Sequence, residues 1–277
     1  MLQRTDAATA AGVRALIGMG SSPGTSNVLI RAAVDHLGSA EDVEISWTVD
    51  INDMTDAAVR HFWHCFNLID PDGTEHPAPS WEQLERRTVT FPGTVGTHEL
   101  VRLAHPEPLT VPRFLPVTRC TNYGALTPLE ALVVAWSLAF SVDAQRPRPE
   151  LAELTDQAVN VFRTYRLTRP ATPRIGSGLQ IDVHTGGNGL RFAAGADTEM
   201  AEATGVPAAA GILLMLGGHT PDTGVFSPET LVPADFFAAL RNVSRGGGGL
   251  ELHRLVDGEA TERIRIRDLL APSPASA

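Results

Sequence analysis

Two stretches of the chain concentrate side chains that can do chemistry. The first is His105-Pro106-Glu107-Pro108-Leu109-Thr110-Val111-Pro112-Arg113. A histidine titrates near neutral pH, so His105 can carry a proton at a reacting atom, with Glu107 as a second carrier two residues away. Arg113 can hold a substrate carboxylate through two parallel N–H bonds, and Thr110 adds a hydroxyl beside it. Pro106, Pro108 and Pro112 limit backbone freedom and so fix where these side chains point. The same residues also fit an ion-paired segment that packs a sheet edge.

The second stretch is Gly18-Met19-Gly20-Ser21-Ser22-Pro23-Gly24-Thr25-Ser26-Asn27, between the apolar run Val13 to Ile17 and a helix-like Val28 to Leu37. A strand, a glycine-rich turn and a helix in that order can cradle a dinucleotide. Gly18 and Gly20 fit the first two glycine positions, Pro23 stands at the third, and Asp50 is a distant candidate for the ribose acid. Gly20, Pro23 and Gly24 are then the candidate cofactor contacts. Alternatively, Ser22, Thr25 and Asn27 surround a helix N-terminus whose free N–H groups hold an anionic substrate group. The simplest alternative is a capped helix start, with Ser26 as the cap.

Other candidates are more local. His61, His64 and Cys65 have i, i+3 and i, i+4 spacings that can share a metal, with His98 or Asp53 as a third ligand. With Phe62, Trp63 and Phe66 interleaved, a packed helix with satisfied histidines is the preferred reading, and no metal is expected. Asp50, Asn52 and Asp53 close a strand, a place where ligands collect and where ordinary turns also occur. Arg119, Asn122 and Tyr123 follow another strand end and either line a pocket or form a surface turn, with Asn122 the candidate substrate contact. His184, Thr185 and Asn188 read as solvent-facing. There is no Gly-x-Ser-x-Gly and no Walker loop, and Gly246 to Gly249 lacks the lysine of a phosphate loop.

Composition removes several function classes. The chain has no lysine, so lysine Schiff-base chemistry is absent, and its 22 basic residues are all arginine. A formal net charge of −10 opposes binding to nucleic acid or to anionic membranes. Two cysteines, Cys65 and Cys120, are too few for a disulfide framework. The N-terminus lacks a signal-peptide apolar region, and the longest apolar run, Ala131 to Val142, is too short to cross a bilayer. A soluble, cytoplasmic protein is expected.

The elements that must position these residues follow from periodicity and turn signals. Helices are expected at Asp6–Gly12, Asn27–Leu37, Asp56–Phe66, Leu126–Val142 (with Pro128 in its first turn), Leu151–Tyr165, Thr204–Leu216 and Asp235–Leu240. Strands are expected at Val13–Ile17, Val43–Val49, Thr88–Phe91, His98–Leu103, Leu115–Cys120 and Leu250–Leu255. Leu179–His184 and Leu190–Ala194 form a hairpin whose turn is set by Asn188-Gly189. Residues 70–80 form a loop or hairpin, Arg146 to Glu150 a break, and Ala271 to Ala277 a disordered end. The expected class is α+β, a mostly antiparallel mixed sheet with helices packed on it.

Four segments in order resemble the saccharopine-dehydrogenase-like oxidoreductases. They are Ala11 to Gly18 running into Ser22 to Asn27, Phe91 to Glu99, His105 to Arg113, and Thr223 to Glu229. The resemblance covers about residues 11 to 240 and implies an α+β substrate and dimerisation domain. Relatives join such a domain to a Rossmann domain that binds NAD(P), and they oxidise or reduce a C–N bond of an amino acid or imine. The segment from Met1 to Ile17, ahead of the glycine-rich turn, is too short to be that Rossmann domain. Residues 1–27 therefore read as a remnant of the Rossmann joint, 28–245 as the substrate and dimerisation domain, and 246–277 as a C-terminal extension. The resemblance implies a homodimer acting on a small molecule, with NAD(P) supplied by a separate Rossmann partner or lost. Two alternatives stay open. One is a non-redox enzyme using His105 and Glu107 for cyclisation, imine formation or isomerisation; the other is a non-catalytic binding dimer.

Overall fold

Residues 40–50 combine β-branched side chains with a buried run at Ile45 to Thr48, the signature of a strand covered on both faces. They form the centre of the sheet in this computed structural model, which describes residues 1–66, 68–69, 75–76, 79–144, 151–197, 199–246 and 249–270. The strands are β1 (Arg14–Leu16), β2 (Ala40–Asp50), β3 (Leu68–Ile69), β4 (Glu75–His76), β5 (Arg86–Phe91) and β6 (Gly96–Arg102). They continue as β7 (Val117–Thr127), β8 (Ser177–Thr185), β9 (Asn188–Ala196), β10 (Gly224–Phe226), β11 (Glu251–Val256) and β12 (Glu259–Ile264). The helices are α1 (Thr5–Ala10), α2 (Thr25–Leu37), α3 (Asp56–Trp63), α4 (Glu107–Phe114) and α5 (Leu129–Ala144). They continue as α6 (Leu151–Thr168), α7 (Met200–Leu216), α8 (Pro233–Val243) and α9 (Ile266–Leu269).

The main sheet has eight strands in the order β12-β11-β9-β8-β2-β7-β6-β5. Only β2 and β7 run parallel; every other neighbouring pair is antiparallel. The expected α+β class with a mostly antiparallel mixed sheet is therefore observed. The sheet curls, because β5 lies back over β8 and β9. A side chain at Gly178 would meet the Phe91 ring at 2.5 Å, and one at Gly195 would meet the Pro92 carbonyl at 2.0 Å. Arg87 of β5 reaches Asp182 of β8 at 2.6 Å. Helix α2 packs its buried face, Val28 to Ile30 and Ala32 to Val34, into the core.

Several sequence expectations change. The strand at Val13–Ile17 exists as β1, but it pairs in parallel with β10, outside the main sheet. β7 runs on to Thr127 with Thr121 to Thr127 buried throughout, so Asn122 and Tyr123 lie inside a central strand and not in a surface turn. Gly124 makes this possible: a Cβ there would sit 2.4 Å from the Trp47 ring, which crosses it. Consequently α5 starts at Leu129, not Leu126, and Pro128 precedes it. The proline-rich His105–Arg113 segment is largely helical. It contains α4, with Pro106 as its N-cap and Pro108 in the first turn, where a missing N–H costs nothing. The helix expected over Asp56–Phe66 tightens into a 3₁₀ turn at His64–Phe66.

The hairpin turn is Gly186-Gly187, with Gly186 at φ +58°, while Asn188 already pairs with Thr185. Asp257 (φ +49°) and Gly258 (φ +82°) turn β11 into β12, an Asp-Gly hairpin signal that went unread in the sequence. Both strands extend the main sheet past β9, so residues 251–264 are continuous with it. Residues 146–150 and 271–277 lie outside the described residues, as does part of 70–80. Among the described residues, no helix is long and apolar enough to cross a membrane.

Candidate functional site

The end of β2, the start of β8, α3 and the first turn of α7 line a cavity with about 110 Å³ open to water. Trp47, Met54, Phe62, Leu179 and Met200 give it an apolar wall, and His61, Cys65, His105, Ser21 and Ser22 face it from the other elements. His105 is positioned by the N-terminus of α4, where Glu107 enters the helix in its first turn. Its Nδ1 lies 2.6 Å from Glu107 Oε2, and both side chains are buried. Glu107 also accepts a bond from the Ser22 hydroxyl and one from Ser26 Oγ at 2.9 Å.

Burial alone would raise the Glu107 pKa. The charge of His105 and the hydrogen bonds from His105 and Ser22 outweigh it, holding the carboxyl below the usual carboxylate range. An ionised Glu107 accepts only, so His105 Nδ1 must donate to it. His105 then keeps its Nε2 lone pair when neutral, oriented by a carboxylate that Ser22 and Ser26 hold from the other side.

The glycine-rich turn supports this pair from behind. Ser26 is not the cap of α2; Gly24 is, at φ +130°, and its N–H donates to Asn27 Oδ1 at 2.7 Å. Thr25 N–H donates to the Gly20 carbonyl and Ser26 N–H to the Ser21 carbonyl. Thr25 Oγ1 adds a longer bond to Gly20. Asn27 is fully buried and donates to Glu229 Oε1 at 2.7 Å and to Thr110 Oγ1 at 3.4 Å. The N–H groups of Gly24, Thr25 and Ser26, which a pyrophosphate would need, are thus already used within the chain. A Cβ at Gly24 would fall 2.1 Å from the Gly20 carbonyl oxygen, so the turn closes on itself. Gly20, Pro23 and Gly24 do not fit a dinucleotide cradle in this arrangement.

The structure therefore brings together His105, Glu107 and Ser22 at the cavity, with Thr25, Asn27 and Thr110 in the brace behind them. Arg113 is exposed in the last turn of α4 and is not part of the lining. Asp50 is buried elsewhere, accepting from Asn52 N–H and Ile175 N–H at 2.9 Å each. Asn122 does not line the cavity; its Oδ1 receives the Trp47 indole N–H at 2.7 Å and fixes that wall.

His61, Cys65 and His105 each present a ligand atom within 4.8 Å of the others. The third member is His105, not His98 or Asp53. His98 bonds the Val95 carbonyl and Asp53 pairs with Arg174. Burial first, and then the Glu107 charge, push the Cys65 thiol up to about 12, so it stays protonated. The wall residues Trp47, Thr48, Phe62, Ser177 and Met200 were not legible as site residues, because strand and helix patterning explains each of them in the sequence. No protein-family model matches this chain, and no curated protein matches it in sequence.

Proposed function

We propose that this chain is an enzyme that moves a proton on a small nitrogen-containing molecule, with His105 as the proton carrier. Glu107 is the group that sets its tautomer. The observation that carries this reading is the 2.6 Å contact between His105 Nδ1 and a buried Glu107 beside a mostly apolar pocket. Isomerisation of an imine to an enamine fits such a site. Neutral His105 takes a proton from the carbon next to C=N, the C–H pair becomes the C=C bond, and the C=N π pair moves to nitrogen. His105 returns the proton to that nitrogen, so substrate and product are isomers and nothing else is consumed.

The test is deuterium uptake from D₂O, at the carbon next to C=N, in an imine formed from a small aliphatic amine and aldehyde. His105→Ala should slow it by roughly 10²–10⁴-fold, the usual contribution of a positioned acid/base. An unchanged rate in a folded variant refutes the reading.

A second reading keeps the C–N oxidoreductase of the sequence resemblance, with this chain as the substrate half of a homodimer and NAD(P) held by a separate unit. One observation favours it. Val13, beside the small sheet of β1 and β10, and Ile212, Leu213 and Leu216 of α7 are exposed apolar side chains that a second copy would cover. Imine reduction by NADPH that appears only when a Rossmann-domain unit is added to this chain would favour the oxidoreductase over the isomerase.

A further inference from the structure

We infer that the cavity takes a small aliphatic amine, or the imine made from it, and rejects carboxylates and phosphates. This rests on the proton-transfer reading of the same site and names its substrate class. The charge inventory comes first. The chain has no lysine, and among the described residues that line the cavity none is an arginine. Arg113, the residue best suited to a substrate carboxylate, is exposed away from it. The formal charge nearest the cavity is Glu107, fully buried behind His105. A carboxylate entering here would lose its hydration, meet no lysine or arginine, and have to compete with Glu107 for His105.

The hydrogen-bonding inventory points the same way. Ser177 Oγ is a buried hydroxyl oxygen without a partner, and Ser177 lines the cavity. Trp47 pairs with Leu179 across β2 and β8, and side chains two residues apart share a face, so Ser177 lies on the Trp47 face of the sheet. A buried hydroxyl without a partner is unfavourable, and a ligand N–H restores the bond by donating to it. With His105 Nε2 this makes two acceptors for the N–H groups of an amine. Trp47 and Phe62, edge to face with ring centroids 6.1 Å apart, supply aromatic surface that suits an ammonium and its alkyl chain.

Calorimetry on the purified chain with three matched compounds tests the assignment. Leucine carries both an amine and a carboxylate, isopentylamine lacks the carboxylate, and 4-methylpentanoate lacks the amine. Isopentylamine should bind at least about ten-fold more tightly than either of the others. Ser177→Ala should weaken it several-fold while leaving the melting temperature unchanged. Equal or tighter binding of leucine or 4-methylpentanoate overturns the assignment, as does no binding of isopentylamine at tens of millimolar. If isopentylamine is preferred but deuterium uptake ignores His105, the ligand class stands and the proton-transfer reading falls. If uptake needs His105 but leucine binds equally well, the reading stands and the ligand class falls.

Discussion

Replacing Glu107 by glutamine tests whether the carboxylate sets the chemistry of His105 or merely fills space. The carboxylate accepts three bonds, from Ser22, Ser26 and His105. Bonds to a charged group are worth about 1.5–3 kcal/mol and neutral ones about 0.5–1.5 kcal/mol, so the exchange loses about 1 kcal/mol per bond, or about 3 kcal/mol. Relief from burying a charge returns several kcal/mol. The net loss of stability at pH 7 should therefore stay within about 2 kcal/mol by thermal or denaturant unfolding. Glu107→Ala, which strips His105 of its partner, should cost about 3–5 kcal/mol.

The larger effect of Glu107→Gln is on the tautomer. The glutamine carbonyl serves Ser22 and Ser26, and its NH₂ turns to His105, which must then accept at Nδ1 and carry its proton on Nε2. Proton transfer at the cavity should fall by roughly 10²–10⁴-fold, and ¹⁵N spectra should show the His105 proton on Nε2. The folded-state pKa of Glu107 lies below its usual value, so its stabilisation is complete above the ordinary carboxylate range. It is lost as the pH falls through the folded value. The wild type should therefore lose more stability than Glu107→Gln on acidification below about pH 4.3. An unchanged tautomer together with an unchanged exchange rate would refute the role given to Glu107.

Gly24→Ala should destabilise the protein by about 3–5 kcal/mol, since its Cβ would overlap the Gly20 backbone in a left-handed conformation. A melting temperature within a degree of wild type would contradict the closed turn. Cys65 should resist alkylation at pH 8 in the native state and react only on unfolding, because burial and Glu107 hold the thiol protonated. Rapid labelling of native Cys65, read by peptide mass spectrometry against the unfolded chain, would contradict that.

What the sequence revealed follows from the range of the forces involved. Alternation and turn chemistry act locally, so the helix after the glycine turn, the β8–β9 hairpin and the α+β class were all legible. β7 was cut short because Asn122 and Gly124 look like turn residues. Their reasons for being in a strand, the Trp47 indole bond and the room its ring needs, come from β2, 75 positions earlier for Asn122. The same limit applied to the site. His105 and Glu107 declared themselves by spacing, whereas Ser177 matters through what it lacks, a partner in the fold.

Three of the four segments that carry the family resemblance meet at one place. Ser22, Ser26 and Asn27 come from the first, Glu107 and Thr110 from the third, and Glu229 from the fourth. The second segment serves the sheet, as Phe91 packs against Gly178 where β5 curls over. This convergence changes what the glycine-rich turn is for. A turn that spends its N–H groups on Gly20, Ser21 and Asn27 has none of those to give a phosphate, but it can hold a carboxylate still through Ser22 and Ser26. Asn27 couples that grip to Glu229, itself held by the Ser227 hydroxyl. A Glu107 held by two hydroxyls leaves His105 one favoured tautomer, and a fixed tautomer is what the proposed proton transfer needs whether a dinucleotide is supplied from elsewhere or not. On that proposal the residues that look most like a cofactor motif act at second hand, by holding the carboxylate that holds the histidine.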